Sequence, residues 1–135
     1  EAKVSVYFAN EAGDALIPSH LKITYDGTLS TERLILQALL KGPVEENMQP
    51  VLPKGTVLNK VAIRDGICYV DFNSNFMDKP VTVTENVAVY SVVNSLVELP
   101  NVAQVQITVD GETKKVYQSI PLNTLLERKL ELIEE

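Results

Sequence analysis

The stretch Asp71-Phe72-Asn73-Ser74-Asn75-Phe76-Met77-Asp78 opens like a calcium loop, with side-chain oxygens recurring at alternate positions. The pattern then departs. An EF-hand needs glycine at loop position six for its sharp turn and a bidentate glutamate at position twelve, and Phe76 and Thr82 stand there. The segment reads as a strand end with Asx turns leading toward a helix, and no metal or cofactor is expected. His20 is the sole histidine, so an imidazole-activated serine or cysteine would have to use it. It lies beside Ser19 without a nucleophile signature such as G-x-S-x-G, which makes a solvated loop histidine the simpler reading.

Cys68 is the single cysteine, so it forms no internal disulfide and supplies no multi-cysteine metal site. It shares strand parity with Val70 and Phe72 and reads as a small core hydrophobe. Acids such as Asp71, Asp78 or Glu85 are those a paired-carboxylate hydrolase would use, but that chemistry needs a spacing that sequence does not define. Glycines at 13, 27, 42, 55, 66 and 111 make neither a dinucleotide fingerprint nor a Walker A loop. Tyr7, Tyr25, Tyr69, Tyr90 and Tyr117 offer contact area with a polar handle. Parity puts Tyr7 and Tyr69 opposite their core-facing neighbours, where they either form a binding face or lie under a second layer.

The elements that position these residues follow from periodicity. Residues 3–9 alternate, with Val4, Val6 and Phe8 on one face, and read as a strand. Residues 15–24 contain Pro18 and read as irregular or, at most, an edge strand. Ser30 caps a helix over 31–41 that Gly42-Pro43 ends. Only Gln37 is polar from Leu34 to Leu40, which predicts that this helix is nearly surrounded and central. Residues 43–56, with Pro43, Pro50, Pro53 and Gly55, form a crossing loop pinned by Val44, Met48, Val51 and Leu52. Asp65-Gly66 joins strands 56–64 and 67–72 through a type I′ turn.

A second helix spans 84–99, capped by Thr84 or by Thr82 with Glu85. Its polar face is Ser91, Asn94, Ser95 and Glu98, opposite Val89, Val92, Val93, Leu96 and Val97. After Pro100, Val105, Ile107 and Val109 alternate with polar residues, and Asp110-Gly111 predicts a second hairpin with 113–117. Leu122, Leu125, Leu126, Leu130 and Ile133 recur at helical spacing and predict a C-terminal amphipathic helix. Its apolar stripe packs on its own domain or docks on another chain, and Leu126, Leu130 and Ile133 are the residues assigned to partner contact.

The expected fold is α+β: two main helices against one mixed or antiparallel sheet of four to five strands in β-α-ββ-α-ββ order, plus that helix. Residues 1–122 form the domain and 123–135 a helical tail. The 135 residues suit one core, at about 150 residues per domain. With 12 Lys and Arg against 18 Asp and Glu, the net charge of −6 argues against nucleic acid or an anionic membrane surface. No run reaches the roughly 18 apolar residues of a membrane span. The chain opens at Glu1 without Met, which points to a trimmed chain or a mature form whose targeting segment is gone.

Five segments stand in order: Tyr7-Phe8-Ala9, Ala38-Leu39-Leu40-Lys41-Gly42-Pro43, Leu52-Pro53-Lys54-Gly55-Thr56, Asp65-Gly66 followed by Tyr69-Val70-Asp71-Phe72, and the longest, Val93-Asn94-Ser95-Leu96-Val97-Glu98-Leu99-Pro100-Asn101-Val102 running into Val105-Gln106-Ile107-Thr108-Val109-Asp110-Gly111. Together, in this order and spacing, they resemble the GerM domain, a sporulation and germination domain of bacterial surface lipoproteins. The resemblance implies a non-enzymatic extracytoplasmic module, membrane-anchored as a lipoprotein in the full-length form by an upstream lipidated cysteine. It implies similarity to the ring-building folds of the channel between mother cell and forespore. Its work would be contact with envelope or sporulation-complex proteins or with peptidoglycan, with self-association as a further option. No catalytic residue carries over, because the shared motifs are turns and core positions. A peptidoglycan-binding or peptidoglycan-hydrolysing envelope protein is the alternative.

Overall fold

A computed structural model describes residues 2–24 and 27–134. Tyr25 lies outside them. The described elements in order are β1 (Ala2–Asn10), β2 (Leu16–Ile23), α1 (Thr31–Lys41), β3 (Met48–Gln49), β4 (Leu58–Arg64), β5 (Ile67–Phe72), α2 (Glu85–Leu96), β6 (Gln104–Val109), β7 (Val116–Tyr117) and β8 (Ile120–Pro121), with 3₁₀ turns at Ser74–Met77 and Leu130–Leu132. The α+β class is as expected. The local signals act as their chemistry predicts: the Ser30 hydroxyl accepts from the Arg33 N–H, and Gly42, at φ 93°, returns its N–H to the Ala38 carbonyl. Asp65 and Gly66 both have positive φ, as a type I′ turn requires. Thr84, rather than Thr82 with Glu85, caps α2, accepting from the Val87 N–H.

The sheet differs from the expectation of a single one. Among the described residues the strands form two three-stranded sheets, β2-β1-β3 and β4-β5-β6, and a small β7-β8 ribbon. The reason lies in α2, which is buried at every residue from Val87 to Leu96. A helix covered all round needs partners on several sides. It lies against β1 and reaches α1, β6 and β8. The central helix is therefore α2 and not α1, whose buried residues are Ile35, Leu36 and Leu39. Val44 of the crossing loop is 79% exposed and pins nothing, whereas Val51 and Leu52 are buried.

Residues 16–23 form a full edge strand, paired with β1 so that Tyr7 lies opposite Pro18. The Tyr7 N–H turns the other way, to the Ser95 hydroxyl at 2.9 Å. Tyr7 and Pro18 thus form a non-hydrogen-bonded pair, and the proline's missing N–H falls on the open edge, where it costs no ladder bond.

Two further expectations fail together. The hairpin after Asp110-Gly111 reduces to one bridge, Val109 to Glu112, and Val116–Tyr117 pairs with Ile120–Pro121 instead. β6 runs parallel to β5, and its N-terminal half is met on the other side by Leu126, which exchanges two backbone bonds with Val105 at 2.9 and 2.8 Å. Among the described residues the C-terminal amphipathic helix is absent. Residues 122–134 form a strap, extended apart from the 3₁₀ turn at Leu130–Leu132, and its anchoring backbone groups find partners outside the segment, so no longer helix is needed to satisfy them. Asn94 clamps Lys129 with two bonds of 3.0 Å, and the Glu134 N–H reaches the Leu16 carbonyl at 2.8 Å. The Arg128 guanidinium donates to the last-turn carbonyl of Val97 and pairs with Glu98.

Below the β4-β5-β6 sheet, Phe76 stacks on Phe72 at 4.8 Å and touches Tyr117 at 5.1 Å. The Tyr117 hydroxyl is buried without a hydrogen-bond partner among the described residues, and burial, together with the charges of Asp78 and Glu85, pushes its pKa up. Tyr117→Phe removes that unsatisfied group and is expected to stabilise the fold by about 1 kcal/mol, read as a higher urea midpoint at constant slope.

Candidate functional site

Alternation along β4, β5 and β6 leaves one polar sheet face open. Cys68, Val70, Phe72, Val105, Ile107 and Val109 point into the core. The opposite face carries Lys60, Ala62 and Arg64 from β4, Tyr69 and Asp71 from β5, and Gln106 and Thr108 from β6, lining a groove of about 380 Å³. The Arg64 guanidinium lies over the Tyr69 ring at 4.9 Å. Such cation–π contacts hold the charge in place without neutralising it. The sequence signal for Lys60 and Arg64 is their parity with Ala62 on a half-buried strand, a weak signal because single surface cations are commonplace.

Asp71 anchors this face. Its carboxylate is 4% exposed and accepts from the Thr108 hydroxyl at 2.5 Å, the Gly111 N–H at 2.8 Å and the Asn59 amide at 2.9 Å. Burial alone would raise its pKa, but these three donors and the Lys60 ammonium outweigh it and hold the carboxyl below its ordinary value. Its oxygens are thus committed to the turn after β6, which explains why that turn folds back to β5. A depressed native pKa means the stabilisation is complete above the unfolded value of about 3.9 and is lost as pH falls through the lower native value. Asp71→Asn is expected to cost about 1–3 kcal/mol at pH 7, because an amide presents a donor to a donor. Urea unfolding of this variant should vary less with pH below about 4 than that of the parent.

The other sequence candidates scatter. His20 accepts or donates at 3.1 Å with Ser5, its cross-strand neighbour on an exposed face. Glu85 holds the Ser119 hydroxyl and N–H. Asp78 and Glu85 both act on Tyr117, on the far side of the sheet from Asp71. Tyr7 and Tyr90 are covered, Tyr7 donating to Glu98 at 3.3 Å and Tyr90 lying under the Lys129 ammonium at 4.7 Å. Leu126 is 4% exposed, Ile133 is half-buried, and Leu130 is 64% exposed, so these residues do not share one apolar stripe.

Cys68 is fully buried, and burial, with the nearby Glu32 charge, pushes its thiol up to about 12. A buried, protonated thiol reacts only after the chain opens. Labelling by an aromatic disulfide at pH 8 should therefore follow the rate and denaturant dependence of global unfolding; fast labelling of native protein would contradict this placement.

A family model described as "Sporulation and spore germination", and named Germane, matches residues 5–115. The chain belongs to the Germane family. The motifs that carried the resemblance fall on β1, the C-terminal ends of α1 and α2, the loop at 52–56, the Asp65-Gly66 turn, and strands β5 and β6. Among solved structures, the tandem GerMN domains of the sporulation protein GerM from Bacillus subtilis superpose with a TM-score of 0.79 at 22% identity, covering 93% of this chain and 46% of that one. The first GerMN domain alone gives 0.77 at 22% identity, covering 95% and 98%. A candidate lipoprotein from Clostridium perfringens gives 0.64 at 20% identity, covering 93% and 87%. At these identities the likeness is one of fold. The chain spans about half the length of the tandem-domain protein. No curated protein matches the sequence.

Proposed function

We propose that this Germane-family chain is a non-catalytic extracytoplasmic interaction module of the bacterial envelope, carried by a membrane-anchored lipoprotein and acting in sporulation or germination. Its partners are envelope or sporulation-complex proteins. Family membership supports the setting, and the similar fold of a candidate lipoprotein supports the envelope. The observation that carries the contact role is the open face of β4-β5-β6, where Lys60, Arg64 and Gln106 remain available while Asp71 is committed internally. Leu130, exposed on the strap, is a separate candidate contact position, whereas Leu126 is buried in the core.

The experiment is site-specific photo-crosslinking in the native cells through growth and sporulation, with the reactive residue at Ala62, Gln106 or Leu130 and a control at Gln37 on α1. Capture of a protein at the first three positions and not at Gln37 is the expected result. Capture of peptidoglycan alone would move the function to glycan binding, and release of soluble fragments from purified peptidoglycan would make it hydrolysis. Capture of nothing at any stage would sink the module reading.

A further inference from the structure

The open face continues into an open edge. β4 has β5 as its one sheet neighbour among the described residues. Arg64 pairs with Ile67 across the two-residue turn, and Ala62 with Tyr69 and Lys60 with Asp71 follow. Such a turn closes on a hydrogen-bonded pair, so bonded pairs recur at every second residue. The N–H and C=O groups of Val61 and Ile63 therefore point away from the sheet, ready to pair with another strand.

Charge selects which strand. Lys60 and Arg64 stand on one face, four residues or about 13 Å apart at the strand rise. Among the described residues neither forms an ion pair: Arg64 rests on Tyr69, and the carboxylate of Asp71, across the strand pair from Lys60, is filled by other donors. A second copy pairing antiparallel about Ala62 would set Lys60 of one chain opposite Arg64 of the other, and like charges directly opposite repel. Stacking of a sugar on Tyr69 meets the guanidinium already covering that ring. An acid-bearing strand meets neither obstacle.

We propose that the β4 edge accepts an extended acidic segment of a partner protein as a fourth strand, with acids at two positions four residues apart set against Lys60 and Arg64. Residues between them that face the core side lie beside the half-buried Val61 and Ile63 and are apolar, so the recognised pattern is acid, apolar, any, apolar, acid. This assignment rests on the interaction-module reading and names the chemistry of its partner.

The probe is the synthetic peptide Ser-Glu-Val-Thr-Val-Glu-Ser, titrated into the isotope-labelled full chain and followed by amide chemical shifts. The amides of Val61 and Ile63 should move, binding should weaken with added salt, and a peptide N-methylated on its pairing edge should lose binding while keeping both charges. The double variant Lys60→Glu, Arg64→Glu, whose side chains are exposed and whose fold circular dichroism would verify, should bind at least about tenfold more weakly and should prefer the Lys-Val-Thr-Val-Lys peptide. No movement of the two amides up to about 1 mM peptide, at the weak end of association, would overturn the proposal. Equal binding of a glutamine peptide would overturn it too, as would response only to peptidoglycan fragments at Tyr69 and Gln106. Protein captured in cells through another surface, with a negative titration, would leave the module reading standing and remove this one. A positive titration with nothing captured in cells would show that the β4 edge takes an acidic strand but would remove the module reading, and with it the assignment of that strand to a partner protein.

Discussion

Gly13→Ala is expected to be among the most damaging single-methyl changes in this domain. Gly13 sits at φ +77°, and a Cβ there would lie 1.8 Å from the Thr82 carbonyl oxygen and 2.8 Å from its carbon. Both atoms are backbone, so no side chain can swing aside. The left-handed conformation costs an alanine about 1–2 kcal/mol by itself. Relief of the contact must also push away the segment whose next residues start α2, where the Thr84 N–H donates to the Gly13 carbonyl at 2.9 Å and the Thr84 hydroxyl caps the helix. Loss of that cap adds about 1 kcal/mol, and displacement of the central helix adds packing losses. We expect at least about 4 kcal/mol in all, a large part of the 5–15 kcal/mol that holds a typical domain. Gly111→Ala is the control: its φ is +78°, but nothing lies within 4 Å of the added carbon. It should cost only about 1 kcal/mol. Urea unfolding of the two variants side by side checks the argument; equal losses would mean that the 10–15 turn does not press on residue 82.

Asn94→Ala is expected to cost about 2–4 kcal/mol and to release the strap before the rest of the domain opens. The Asn94 side chain is fully buried and acts as a piece of strand, donating to the Lys129 carbonyl and accepting from its N–H. Alanine leaves both backbone groups facing an apolar helix without partners. Asn94→Asp keeps the shape but sets a carboxylate oxygen, an acceptor, against the Lys129 carbonyl in place of the donating amide and buries a charge, so it should be at least as damaging. Amide exchange distinguishes local from global loss. In Asn94→Ala the N–H groups of Leu126, Lys129 and Glu134 should exchange much faster than those of paired β1 and β2, and uniform acceleration would show that the strap and the sheets open together.

Local features were legible from the chain because the forces behind them act within a few residues. The Ser30 and Thr84 caps, the Asp65-Gly66 turn and the alternation of β5 and β6 each satisfy backbone groups or steric limits without reference to the rest of the fold. The turn and the β5 and β6 segments also carried the family resemblance, and the order of the elements pointed to the α+β class. Cys68 was legible as a core residue for the same reason: parity with Val70 and Phe72 sets its face.

What the sequence left open was where polar groups meet. Ser91, Asn94 and Ser95 read as one polar helix face, and periodicity cannot distinguish water from other backbones as the partner of such a face. The tertiary structure chose backbones: Ser95 takes the Tyr7 N–H beside Pro18, and Asn94 takes Lys129. The strap shows the same division. Its leucines have helical spacing, but short isolated helices are marginal in water, and strand edges at Val105 and Leu16 offered its backbone better-supported partners. The choice of partners also split the strands into two sheets around α2 and left the Lys60–Arg64 edge open. Periodicity along the chain therefore determined the elements and their buried faces. Competition among distant backbone donors and acceptors, which only the folded chain brings within bonding distance, decided how they assemble and which surface remains for a partner.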